Sequence, residues 1–264
     1  KGSFKGEKMK DKILKFIRLI LVIVIIVCLF LLGRRGYDYY KNYRNNQHIS
    51  DIVKNVEKDQ DKNASNDNLN DFEKLEKKYM AILKKLQKEN SDIVAFLEIP
   101  GTYISYPIFQ AKDNNFYLRK GIDKNYDIAG SIFMDYMNDP KMNDDNSVIY
   151  GHHLDDIKSM FTGLDGYRKN DFAQSHRTIY VTTNEGLREY QVFAAYGIPS
   201  NYDYRTLDFE DKEEKLKYFD KLKSNSENEL ETRDFKEDDT IITLSTCQYD
   251  YKDQRLAVHA LRIK

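Results

Sequence analysis

Residues 13–33 read ILKFIRLILVIVIIVCLFLLG, and residues 19–32 within them carry no charge. At 1.5 Å rise per residue, a helix of this length spans about 31 Å, the thickness of a hydrocarbon core. Lys15 and Arg18 lie near its N-terminal end, where long side chains snorkel to the interface. A buried core helix is the alternative, and the lack of any polar face over 19–32 argues against it. The chain is therefore expected to carry a membrane anchor, and its fold has to be sought elsewhere.

Flanking cations set the expected orientation. Seven Lys or Arg occur up to Arg18, whereas residues 34–45 hold four: Arg34, Arg35, Lys41 and Arg44. The positive-inside bias places the N-terminus in the cytoplasm and everything after Gly36 outside. LLGRRG is no A-x-A-like cleavage site, so the span reads as a single-pass signal anchor. Cys28 is no lipoprotein cysteine, because Val27 before it is bulky and the apolar run continues past it. Met9 is a candidate start, with residues 1–8 then a remnant or an upstream extension.

The 264 residues balance 42 Lys and Arg against 43 Asp and Glu, which argues against nucleic-acid binding. A hydrophobic share of 41% is enough for a packed core. Two cysteines exclude a disulfide-stapled miniprotein and a multi-cysteine zinc module.

After a cytoplasmic tail (1–12) and the anchor (13–33), residues 34–70 are polar enough to be a stalk. Ile49, Ile52, Val53 and Val56 allow a short amphipathic helix there. Phe72, Leu75, Tyr79, Ile82, Leu83 and Leu86 then recur at three and four, predicting a helix capped by Asn70 or Asp71. From residue 94 the period changes to that of strands: VAFLEI, YISYPIFQ, SIFMDY, SVIYGH, TIYVTT, REYQVFAAYGI, TIITLSTC and RLAVHALRI. Helical pieces are expected at 157–164 and 210–222. Eight strands with helices in the connections predict a mostly β chain closed as a barrel, occupying 71–264.

Three residues carry possible chemistry. Cys247 is the only cysteine outside the anchor, and it ends a strand. A thiol in that place is either a small buried hydrophobe or, given an electropositive neighbour, a nucleophile. Of the five histidines, His48 lies in the stalk and His176 in a polar connection. His259 has the opposite parity to Leu256, Val258 and Ala260, hence points outward. His152 ends a strand, as Cys247 does. Metal binding by His152 and His153 is disfavoured, because adjacent strand residues face opposite ways. Arg255 opens the last strand and returns near Cys247 if the two strands pair. It is either an oxyanion donor or a surface partner of Asp250 or Asp253.

TLSTC ending one strand, YGHH ending another and an Arg opening the last resemble the sortase family of membrane-anchored cysteine transpeptidases. DIVAFLEIPGTYISYPIFQ, DNNFYLRKG and GSIFMDYMN resemble its class B members. The resemblance covers roughly 71–264. It implies an eight-stranded sortase-like barrel with an N-terminal helical extension. It also implies Cys247 as nucleophile on a Thr carbonyl, His152 as acid and base, and Arg255 as oxyanion donor. Tyr150, Ser245, Tyr202 and Tyr204 match places where the class touches its peptide. The implied partners are secreted proteins with a C-terminal sorting signal and an amine of the peptidoglycan precursor or crossbridge, with no metal or cofactor. The competing readings are another cell-wall thiol hydrolase or transpeptidase, and a non-catalytic membrane-tethered β-domain.

Overall fold

The computed structural model describes residues 3–63, 69–154, 157–199, 204–248 and 254–264. The chain divides into two compact units, 1–44 and 45–264. In the first, the apolar run lies within helix α1 (Ser3–Asn63), and its described side chains are exposed throughout, as a lipid-facing segment requires.

The second unit begins within α1. Ile49, Val53 and Val56 are buried, and they join Tyr79, Ile82, Leu83 and Leu86 of α2 (Asp71–Glu89) in one apolar cluster. Part of the segment assigned above to a stalk is thus a helix packed into the second unit. The reason is its i, i+4, i+7 apolar spacing, which buries one stripe against the stripe of α2. Lys78 of α2 pairs with Glu57 at 3.3 Å. Asn70 caps α2: it accepts from the Glu73 N–H, and the Glu73 carboxylate accepts from the Asn70 N–H.

All eight expected strands form, within two residues of their expected limits. They are β1 (Ile93–Glu98), β2 (Ser105–Phe109), β3 (Ile132–Met134), β4 (Asn146–Gly151), β5 (Thr178–Thr183), β6 (Gly186–Pro199), β7 (Ile241–Gln248) and β8 (Gln254–Arg262). They close a barrel in the order β1-β2-β3-β4-β7-β8-β6-β5. β2–β3 and β4–β7 pair in parallel, and the other neighbours are antiparallel. The helical piece expected at 157–164 is a 3-10 stretch, Met160–Arg168, followed by α3 (Asn170–Ser175). The piece expected at 210–222 is α4 (Lys212–Ser224), capped by Asp211.

Alternation distributes the core. Ile149, Ile242, Leu244, Leu256, Val258 and Ala260 fill the barrel interior. Outward residues are covered twice. α1 and α2 cluster with Phe96, Phe133, Val148 and Tyr150, and α4 with Phe193, Tyr196, Ala257 and Leu261. Lys215 of α4 is buried in an ion pair with Asp145, at the entry to β4. That cover changes His259. It has the outward parity expected of it, but it is fully buried. Its Nδ1 lies 2.9 Å from the Thr243 hydroxyl and its Nε2 3.1 Å from the Tyr196 hydroxyl.

Candidate active site

Register brings the expected residues to one end of the barrel. In the parallel β4–β7 pair Tyr150 stands opposite Ser245 and Gly151 opposite Thr246, so His152 and Cys247 are the next residues along the two strands. In the antiparallel β7–β8 pair Cys247 is opposite Arg255. Three distant stretches of sequence thus end at one rim because two ladders share β7. Tyr202 lies outside the described residues.

His152 is 7% exposed. The 3-10 turn Tyr117–Arg119 packs beside it. The Leu118 carbonyl accepts a hydrogen bond from the ring, and the His152 carbonyl accepts from the Phe161 N–H at 3.0 Å. Its Nε2 has no hydrogen-bond partner among the described residues. Burial foremost, and then the Arg119 guanidinium, lower its pKa to about 4, against the pull of the Leu118 carbonyl. The resting imidazole is therefore neutral near pH 7 and able to take a proton. The neighbouring His153 faces elsewhere, with Nε2 at 2.5 Å from Asp165.

A cleft of about 190 Å³ opens beside His152. Its lining includes Asn114, Tyr150, Arg205, Ser245, Thr246 and Arg255. Tyr204 is fully buried and stands behind that lining rather than on it. Its hydroxyl lies 2.7 Å from the Ser245 hydroxyl and accepts from an Arg255 guanidinium N–H at 3.3 Å. The tyrosine matched above to peptide contact thus braces two residues of the site. Tyr150 donates its hydroxyl proton to Asp135 at 2.8 Å, and its phenol is pushed up, by burial first and then by that carboxylate. Asn114 also donates to Asp135, at 2.9 Å.

Sequence reasoning missed Leu118 and Arg119 behind His152, and Asp135 behind Tyr150. Leu118 and Arg119 lie in the β2–β3 connection and Asp135 directly after β3, and each meets its partner only through the barrel. No local periodicity or spacing signals such a contact. The site thus places a neutral imidazole and a guanidinium at the end of the strand that carries a cysteine. Such a set can activate a thiol, stabilise a tetrahedral oxyanion and protonate a leaving group.

Comparison with known proteins bears on that chemistry. A model of the sortase domain matches residues 97–263. The sortase B of Staphylococcus aureus is 33% identical over 210 residues, covering 73% of this chain and 84% of that protein. The sortase B of Listeria monocytogenes is 35% identical over 217 residues, covering 81% and 84%. The solved structure of the S. aureus sortase B–substrate complex superposes with a TM-score of 0.65 at 34% identity, over 69% of this chain and 85% of that one. The chain belongs to the sortase family, in its class B branch, and is a cysteine transpeptidase.

Proposed function

We propose that the enzyme cleaves a C-terminal sorting motif of secreted proteins after a Thr, through a thioester on Cys247, and passes the acyl group to a cell-wall amine. Neutral His152 takes the Cys247 thiol proton as the sulfur adds to the Thr carbonyl carbon. Arg255 holds the resulting oxyanion with a guanidinium braced by Tyr204. Collapse breaks the C–N bond as the imidazolium returns its proton to the departing amine, leaving a thioester. An amine of the peptidoglycan precursor or crossbridge then gives a proton to His152 as it attacks the thioester, and the imidazolium passes that proton to the departing sulfur, which restores the thiol and the neutral ring. Tyr150 and Ser245 line the cleft that receives the peptide.

The observation that carries this reading is the register: Cys247 opposite Arg255, with His152 entering from the strand on the other side of β7. Mass spectrometry of enzyme trapped with a library of Thr-containing peptides tests it. A mass increase equal to the acyl half, on the peptide that holds Cys247, is expected, and none in Cys247→Ala. Adduct formation in Cys247→Ala would move the nucleophile elsewhere.

The cation bias around the exposed apolar run supports a single-pass anchor with a cytoplasmic N-terminus and an extracellular catalytic domain. Buried Ile49, Val53 and Val56 support extending that domain upstream of residue 71, to about residue 45. Protease added to intact protoplasts is expected to remove the domain, and its protection would overturn the topology.

A further inference from the structure

Strand β4 delivers His152 to the rim of the barrel but does not hold it there. Its last registered pairs are Gly151 opposite Thr246 on β7 and Tyr150 opposite Phe133 on β3. His152, His153 and Leu154 follow β4 with no strand partner among the described residues. A proton carrier has to be placed to within a fraction of an ångström, and a segment outside any ladder does not supply that precision by itself. Another element therefore has to fix these three residues.

That element is the 3-10 stretch Met160–Arg168, which meets residues 151–154 one after another. The Phe161 ring packs on Gly151 so closely that a Cβ there would come within 2.6 Å of it. The Phe161 N–H donates to the His152 carbonyl at 3.0 Å. The Leu154 N–H donates to the Thr162 hydroxyl at 3.1 Å. Between these, His153 is buried and its Nε2 lies 2.5 Å from an Asp165 oxygen. A carboxylate only accepts, so the imidazole N–H is the donor. The stretch starts from a strained residue: Met160 has a φ of 50°, and its N–H donates to the Tyr106 hydroxyl at 3.3 Å.

Of these four contacts, the His153–Asp165 pair alone joins two side chains, and a bond to a carboxylate is the strongest kind among them. Neither residue lines the cleft beside His152, so the pair does not meet the substrate there. We propose that Asp165, acting through His153, is a positioning residue for His152: it locks the residue after the proton carrier to the 3-10 stretch, so that the His152 ring keeps its place against the Leu118 carbonyl. The inference rests on the thioester reading above. Releasing the lock gives the His152 ring freedom and water. Burial is the first cause that holds its pKa near 4, so a loosened ring titrates closer to 6.5. The ring has to be neutral to take the thiol proton, so the acid limb of kcat/KM moves up with it.

The test uses the full chain in detergent micelles and a peptide cleaved after Thr. The kcat and KM values, the pH profile of kcat/KM and the thermal midpoint are measured for wild type, Asp165→Ala, Asp165→Asn, His153→Phe and the double variant Asp165→Ala/His153→Phe. Asp165→Ala is expected to cut kcat about 10- to 100-fold, to leave KM within about twofold, and to move the acid limb up toward 6.5. Asp165→Asn keeps an acceptor for the imidazole N–H and is expected to stay within about threefold of wild type. The double variant should be no slower than the slower single one, because the two side chains act as one unit. Turnover of Asp165→Ala near the wild-type rate would overturn the proposal. So would a loss confined to the thermal midpoint, with turnover per folded molecule and the acid limb unchanged, which is the mark of a structural pair. Asp165→Asn as slow as Asp165→Ala would overturn it too, by assigning the effect to charge instead of the bond. Should Asp165→Ala fail to fold, His153→Phe, which fills the space without a donor, carries the same expectations. Absence of cleavage of any Thr-containing peptide by wild type would instead sink the thioester reading itself.

Discussion

Two histidines on the outer faces of this barrel teach what separates a chemical site from a structural one. His152 and His259 are both buried, and burial lowers both pKa values, to about 4 and about 3. By burial and titration alone they look alike. They differ in what meets the ring. His259 has a hydroxyl at each nitrogen, Thr243 on one side and Tyr196 on the other, beneath the face covered by α4. His152 is held at one side by the Leu118 carbonyl, and its Nε2 meets no described partner where a cleft opens. A satisfied buried ring stabilises a fold. A ring beside a cleft, with a buried nitrogen that has no partner among the described residues, is available for proton transfer.

The comparison breaks most visibly at the thiol the open imidazole is taken to serve. Cys247→Ala is expected to reduce cleavage and transfer to background, with far-UV circular dichroism and thermal midpoint close to wild type, because Ala is close in volume to Cys. Transfer at the wild-type rate would remove the reason to treat the two histidines differently.

His152→Ala and His259→Ala then test the contrast directly. Loss of the proton carrier is expected to cut turnover about 100- to 10,000-fold and to remove the limb of the pH–rate profile that reports histidine ionisation. His259→Ala should leave per-molecule turnover nearly intact and remove one hydrogen bond each from the Thr243 and Tyr196 hydroxyls, Thr243 keeping its bond to Asn146. Loss of two buried hydrogen bonds predicts a stability loss of about 1–3 kcal/mol in urea unfolding. The reverse pattern, with His259 controlling rate and His152 only stability, would refute the distinction.

Arg255→Lys keeps the charge and loses the planar fork. A fall in turnover of about 100- to 1000-fold is expected, with the shape of the pH–rate profile retained. Tyr204→Phe sharpens the point by removing only the hydroxyl behind Arg255 and Ser245. Loss of one neutral brace of this sort predicts a drop of about threefold to tenfold in turnover. A larger effect of Tyr204→Phe than of Arg255→Lys would shift the chemistry to the tyrosine.

Acid stability engages both rings at once. Each folded-state pKa is depressed below the unfolded value near 6.5, so between about 4 and 6.5 the unfolded chain binds more protons. Their contribution is fully present above about pH 6.5 and is lost as pH falls toward 4. Urea midpoints are expected to decline across that window, and less steeply in His259→Gln. Midpoints that stay flat from pH 6.5 to 4 would show that neither ring is held neutral by the fold.

Much was legible in the sequence because it is written in short-range patterns. The apolar run, the α2 stripe with its cap, the eight strands and the residues at their ends all follow from periodicity and composition within a dozen positions. The order Cys247, His152 and Arg255 at strand ends was readable for the same reason. Alternation also gave the outward parity of His259. Tertiary structure alone decided what covered that parity: α4 over His259, and the β2–β3 connection beside His152. It likewise decided that Tyr204 braces Arg255 from behind, that Asp135 holds Tyr150, and that residues after 44 pack into the second unit instead of serving only as a spacer. The physical reason is range. A strand's period records which side of the barrel a residue faces, but burial, pKa and hydrogen-bond satisfaction depend on which distant segment closes over that side.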